Sequence, residues 1–161
     1  MPDLSHLTYP DRMTPMIILS LKTGMRRGEL YDLTWEHVNF IQKVITITGE
    51  IAKSKRTRHI PLSPIAFQTL KTWANENPSR NGRVFPAEDG GRLGDIRKSW
   101  GSILKSSEIQ GFRWHDMRHD FASKLVMNGV PLNTVRELCG HSDLNTTLRY
   151  AHLAPDHKSE A

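Results

Sequence analysis

Residues 115–129 read His115-Asp116-Met117-Arg118-His119-Asp120-Phe121-Ala122-Ser123-Lys124-Leu125-Val126-Met127-Asn128-Gly129. Met117, Phe121 and Leu125 recur at the four-residue step of a helix face, Val126 widens that face, and Asn128-Gly129 is a helix-closing pair. The reading is a helix from His115 to Met127 that carries an imidazole and a guanidinium three residues apart, His115 and Arg118. Downstream, residues 131–138 predict a short helix running into Leu138-Cys139-Gly140-His141, and residues 145–153 predict another that contains Tyr150. Upstream, Ile96, Trp100, Ile103 and Leu104 form one more helical stripe.

Nearer the N-terminus, Met16-Ile17-Ile18-Leu19-Ser20-Leu21 reads as a buried helix stopped by Thr23-Gly24, and a second helix begins near Arg27 and runs through Leu30, Leu33 and Trp35. Val44-Ile45-Thr46-Ile47-Thr48 alternates and is β-branched, and His59-Ile60-Pro61-Leu62 ends a second such run. A small antiparallel sheet with a basic turn over residues 50–58 follows. Pro61 has no N–H to give a ladder and belongs at a strand end. Ser63-Pro64-Ile65 is a capped helix start, continued by Phe67, Leu70 and Trp73 to Asn77-Pro78. Residues 75–83 read as a polar loop and Val84-Phe85-Pro86 as a short extended piece. The predicted fold class is α+β, a mostly helical domain with one small antiparallel sheet.

A chain of 161 residues with 37% hydrophobic and 24% charged residues supports one globular domain with its own core. The formal charge of +5, before counting eight histidines, favours a polyanionic partner. The single cysteine, Cys139, excludes an internal disulfide framework and fits a cytosolic protein. No apolar run approaches the ~20 residues of a membrane span, and no signal peptide is visible. A zinc site is disfavoured, because one cysteine and these histidine spacings match no ligand pattern.

Six residues carry the chemical argument: Arg26, Lys53, His115, Arg118, His141 and Tyr150. His141 follows Arg118 by 23 positions, and Tyr150 follows His141 by nine. Cations, imidazoles and a phenol together suit attack on a phosphodiester by an oxygen nucleophile, with the developing negative charge stabilised without a metal ion. Singly, each has an ordinary reading: Arg26 as a helix-end cation, Lys53 as part of a solvated turn, His115 as a helix-start residue, His141 as a helix cap and Tyr150 as a core aromatic. Their combined order is what outweighs those readings.

In this order the residues resemble the catalytic domain of the tyrosine recombinases, the phage integrase family. The resemblance rests on Thr23-Gly24-Met25-Arg26-Arg27-Gly28-Glu29-Leu30, on Lys53 within residues 52–62, on residues 115–123, on Leu138-Cys139-Gly140-His141-Ser142 and on Thr146-Thr147-Leu148-Arg149-Tyr150-Ala151-His152. It implies that Tyr150 attacks the phosphodiester to leave a 3′-phosphotyrosyl link and a free 5′-hydroxyl, and that religation exchanges strands with no cofactor. It implies Lys53 as the general acid for the departing oxygen and His141 as a hydrogen-bond donor to phosphate. Arg26 and Arg118 suit bidentate contact with phosphate oxygens. His115 is the candidate to take the phenol's proton, having a pKa near working pH. Lys55, Arg56 and Arg58 are expected to touch DNA phosphates, Glu29 to buttress Arg26 or its helix, and His119 and His152 to be structural.

The resemblance further implies residues 1–13 as a short N-terminal extension and residues 14–161 as the catalytic domain, the family's DNA-clamping N-terminal domain being absent. Double-stranded DNA is the expected partner, with a homo-tetramer on DNA, a monomer without it, and a cytoplasmic location in a bacterium or phage-infected host. Asp120 departs from the family's small hydroxyl residue, and Cys139 from an aliphatic one. Two other readings stand beside recombination: a DNA-binding module of the same fold that does not cut, and a type IB topoisomerase.

Overall fold

In the computed structural model, which describes residues 8–77 and 82–155, the central helix α5 spans Asp116–Met127. Six further helices surround it: α1 (Met13–Thr23), α2 (Arg27–Asp32), α3 (Pro64–Glu76), α4 (Arg97–Ser106), α6 (Leu132–Cys139) and α7 (Leu144–Leu148). A sheet ordered β1-β2-β3 is built from Val38–Asn39, Val44–Ile47 and Arg58–Pro61, antiparallel throughout. Ile45 pairs with Ile60 and Ile47 with Arg58, so the alternation of β2 sends Ile45 and Ile47 into the core. The mostly helical α+β architecture expected from the sequence is the one observed.

Two hydrophobic clusters hold the domain together. The larger gathers Met16 and Leu19 of α1, Leu30, Leu33, Ile45, Ile47, Ile60, Leu70, Phe85 and Met117. The smaller joins Ala122 and Val126 of α5 to Val135 and Cys139 of α6, with Tyr150 packed among them. Because α5 contributes to both, it fixes the C-terminal helices against the rest. Cys139 fills a core position, as an aliphatic residue would.

Several boundaries agree with the local chemistry read from the chain. Ser63 accepts a hydrogen bond from the Ala66 N–H as the cap of α3, and Pro61 ends β3. Gly24 ends α1 with φ +63°, and a Cβ there would lie 2.4 Å from the Phe121 ring, so a side chain is excluded by conformation and by space.

Other boundaries differ for tertiary reasons. The helix expected to run through Trp35 stops at Asp32. Leu33 and Thr34 turn extended, where the Leu33 carbonyl accepts from the Val84 N–H and Thr34 bridges Arg83. Trp35–His37 then makes a single 3-10 turn. Strand β1, two residues long, is too short to show alternation in the sequence. Residues 75 and 76 continue α3 instead of opening a loop, while residues 78–81 of that expected loop lie outside the described residues. The helix expected over 145–153 is split: α7 ends at Leu148, and a 3-10 turn over Ala151–Leu153 follows Tyr150. Tyr9, read as part of an extension, is buried in the core with its N–H bonded to Glu76 and its hydroxyl to Thr69.

Candidate active site

The left-handed stop at Gly24 turns the chain so that Arg26 opens α2 and the Gly24 carbonyl faces α5. Arg118, 4% exposed, donates from Nη1 to that carbonyl at 2.8 Å. Glu29, one turn into α2, is 1% exposed and accepts four hydrogen bonds. Two come from the backbone N–H and Nη1 of Arg26 (2.7 and 3.1 Å), and two from Nη1 and Nη2 of Arg58 (3.0 and 2.7 Å). Burial alone would raise the Glu29 pKa, but the bonds and charge from Arg58 and then Arg26 bring it below the ordinary carboxylate value. The expected buttressing of Arg26 by Glu29 is therefore present in the geometry.

Arg58 lies inside the domain and away from the surface expected to face DNA. Expected among the phosphate contacts, it is buried instead, paired with Glu29 and donating from Nε to the Leu138 carbonyl at 3.0 Å. The alternation of β3 is the reason: Arg58 and Ile60 face inward while His59 and Pro61 face out. Gly140, φ +64°, allows this approach, since a Cβ there would come within 2.9 Å of the Arg58 guanidinium. The Gly140 carbonyl accepts from Arg26 Nη2 at 2.9 Å, which ties the segment before His141 to the start of α2.

These ties shape a cleft of about 410 Å³ lined by Arg26, Lys53, Ser54, His115, Arg118, His119, His141, Ser142, Thr146 and Arg149. Five of the six expected residues thus meet in one place, drawn from the start of α2, the β2–β3 turn, the start of α5 and the α6–α7 link. Lys53 reaches it from an exposed turn anchored by the buried Ala52. Lys55 and Arg56 are exposed on the same turn.

The electrostatics of the cleft favour an anion. Arg118 has its pKa lowered by burial to about 10 and remains a cation at neutral pH, while its Nη2 is buried without a hydrogen-bond partner. An unsatisfied guanidinium N–H is costly, and a phosphate oxygen is the natural acceptor. His141 is held to about 4, first by desolvation and then by Arg118, Arg26 and Arg149, so its ring is neutral. Its Nδ1 lies 2.8 Å from the buried Thr147 hydroxyl. With that hydroxyl donating to Nδ1, the tautomer carries its proton on Nε2, free to donate. Desolvation, then His119, Arg118 and Arg26, also lowers the His115 pKa and keeps it able to accept a proton.

Tyr150 is the expected residue that does not line the cleft. It is 6% exposed within the second core cluster, and its hydroxyl makes a short hydrogen bond with Nδ1 of His119. Expected to be structural, His119 is the imidazole at the phenol, in place of His115. The two rings, His115 at the N-cap of α5 and His119 in its first turn, make an edge-to-face contact with centroids 4.8 Å apart. Burial raises the Tyr150 pKa, with Cys139 adding to it. The docked phenol is thus neutral, and His119 is the group closest to its proton.

Ser54, Ser142, Thr146, Thr147 and Arg149 are site residues to which the sequence assigned no role, and His119 is one to which it assigned a structural role. A signal for His119 was available, because position i+4 from His115 shares its helix face. Asp120, the departure from the family pattern, pairs with Lys124 at 2.7 Å on an exposed face. Among the described residues no group of three or more His, Cys, Asp or Glu is placed to hold a metal ion, and no helix is long and apolar enough to cross a membrane. A larger hollow of about 1010 Å³ lies between the start of α1, the loop after Phe85 and α4. It carries both signs of charge, Asp11, Glu88, Asp89 and Asp95 beside Arg12 and Lys98, and gathers none of the six expected residues.

Fold and cleft define the class: an α+β domain with one site where cations and imidazoles converge. The model of the phage integrase family matches residues 5–157, and the chain belongs to that family. The integrase of Salmonella phage P22 is 31% identical over 156 residues, covering 90% of this chain and 40% of that protein. The integrase of Haemophilus phage HP1 is 34% identical over 149 residues, covering 91% and 39%. The solved catalytic domain of bacteriophage HP1 integrase superposes with a TM-score of 0.69 at 31% identity, over 91% of this chain and 78% of that one. The Tn1549 transposon integrase in complex with a circular intermediate DNA shares the fold, with a TM-score of 0.77 at 20% identity over 91% of this chain and 56% of that one. The chain spans about two fifths of the length of both phage integrases.

Proposed function

We propose that this chain cleaves and rejoins DNA strands in site-specific recombination, through a 3′-phosphotyrosyl intermediate on Tyr150. The observation that carries the reading is the cleft itself: Arg26, Lys53, His115, Arg118 and His141 line one cavity in which a buried Arg118 N–H lacks an acceptor. A scissile phosphate there satisfies that donor. Arg26 and Arg118 neutralise the pentacoordinate transition state, and His141 adds a hydrogen bond from Nε2.

The Tyr150 oxygen attacks phosphorus while its proton passes to an imidazole, and the bond from phosphorus to the 5′ oxygen breaks. The Lys53 ammonium supplies the proton that this oxygen needs. Religation reverses the steps with a different 5′-hydroxyl, the phosphotyrosyl bond conserving the energy. For attack, the phenol leaves its contact with His119 and enters the cleft, a movement of the short segment around α7. Lys55 and Arg56 add contacts to the phosphate backbone. Residues 14–161 serve as the catalytic domain, assembling as a tetramer on double-stranded DNA and monomeric without it, in the cytoplasm of a bacterium or phage-infected host.

A nicked suicide duplex tests the reading. The wild-type chain forms a covalent protein–DNA adduct that survives denaturing electrophoresis, and Tyr150→Phe forms none while still binding. Binding without an adduct in the wild type points instead to a non-cutting module. Relaxation of supercoiled DNA with no exchange of partners points to a topoisomerase.

A further inference from the structure

The surface around the cleft holds more than the five expected residues that line it. A basin of about 120 Å³ adjoins it, lined by Ser54, Arg56, Thr57, Arg136, Glu137, Gly140 and His141. Ser54 and His141 line both, so the two spaces are neighbours on the surface. Arg56 comes from the β2–β3 turn and Arg136 from α6, and neither makes an ion pair among the described residues. Glu137, the acid of the basin, accepts a hydrogen bond from Asn133. The Arg136 carbonyl accepts the His141 N–H at 3.0 Å, which couples this helix end to the cleft.

Buried, unpartnered polar atoms concentrate here. Among the described residues six such side-chain atoms occur, and Ser54 Oγ, Arg136 Nε and Arg118 Nη2 belong to residues lining the cleft or this basin. Native folds seldom leave such atoms unmatched without water, an ion or a functional role to account for them, and beside three arginines an anion is a suitable partner.

We infer that Ser54, Arg56 and Arg136 form a second phosphate subsite that holds the backbone phosphate next to the scissile one on the cleaved strand. The inference rests on the proposed function and deepens it. A guanidinium and a hydroxyl are suitable partners for a phosphodiester, and a strand whose scissile phosphate lies against Arg118 must continue into an adjoining space. Arg136 takes the place in the DNA contact that the sequence suggested for Arg58, whose charge is spent on Glu29. Its role is positioning: it registers the strand so that the phosphorus meets the cleft groups.

The test uses the whole chain and labelled nicked duplexes of one fixed sequence, each carrying a single uncharged methylphosphonate at one position around the nick. Affinity is measured at several salt concentrations for wild type, Arg136→Ala, Arg136→Lys and Ser54→Ala, with thermal unfolding confirming that each variant folds. Arg136→Ala is expected to lower the slope of log affinity against log salt by about 0.9, the loss of one phosphate contact, and Arg136→Lys to restore it. One methylphosphonate adjacent to the scissile position should weaken wild-type binding and leave Arg136→Ala unaffected. An unchanged slope, or equal sensitivity of wild type and Arg136→Ala at every position, overturns the subsite even where the wild-type adduct forms and the main reading stands. Absence of any DNA binding by the wild-type chain overturns both.

Discussion

Glu29 accepts from two arginines of opposite use: Arg26 faces the cleft, and Arg58 is enclosed. Removing the carboxylate strands a buried guanidinium, so Glu29→Ala should destabilise the fold by about 3–5 kcal/mol in urea unfolding. In the same variant Arg26 loses the bonds that aim it, and adduct formation should fall beyond what stability explains. Arg118 is equally constrained. One arm of its guanidinium is committed to the Gly24 carbonyl while the other is unpartnered, a division of labour that a lysine ammonium cannot reproduce in the same geometry. Arg118→Lys should therefore retain most DNA affinity and lose adduct formation by roughly 10²-fold or more, as for loss of one charge-stabilising donor. Equal losses in binding and chemistry would contradict that assignment. At this scale the sequence was informative about residue identity and poor about partnership: nothing in Lys53-Ser54-Lys55-Arg56-Thr57-Arg58 distinguishes the buried arginine from the exposed ones except strand phase, which depends on the register of β2 and β3.

Among the elements, the segment bearing Tyr150 is short and lightly anchored. α7 is five residues long, Leu144 and Leu148 are exposed, and the phenol's burial and its bond to His119 hold the segment down. His119→Ala should speed hydrogen exchange over residues 144–153 and leave α1 and α3 unchanged, because it strands a buried hydroxyl worth about 1–3 kcal/mol. Protection unaltered in that segment would show that packing alone docks it. Ser63→Ala, which removes the cap of α3, should cost about 1 kcal/mol of global stability. Capping residues, the left-handed glycine after α1 and the alternation of β2 are local signals and were legible in the chain. The stop of α2 at Asp32 was not, since it depends on Leu33 and Thr34 meeting residues 83 and 84, far along the sequence. The split after Leu148 likewise reflects the burial of Tyr150 in the second cluster, a tertiary demand that helical periodicity does not encode.

For the whole molecule, three imidazoles beside arginines, His119 and His141 half-buried and His115 more open, make stability depend on pH. The pKa of His141 falls from the ordinary imidazole value of 6.5 to about 4, and those of His115 and His119 move the same way. Between the folded and unfolded values the unfolded chain binds more protons, so stability is fully present above about pH 6.5 and is lost as pH falls towards about 4. Urea midpoints taken across that range should decline with acidity, and His141→Gln should flatten the decline; a wild-type midpoint constant over the range would contradict this linkage. The positive charge that the composition advertises is focused in the fold: the cleft and its side basin gather cations, while the larger hollow near α4 mixes both signs. Everything in the proposed chemistry requires the phenol of Tyr150 to reach a phosphorus held by Arg26 and Arg118. Proteolysis of the covalent adduct followed by mass spectrometry tests this directly. The expected result is a peptide containing residues 149–152 with Tyr150 joined to a 3′-phosphorylated nucleotide; a nucleotide on any other residue, or linked through its 5′-phosphate, would contradict the account.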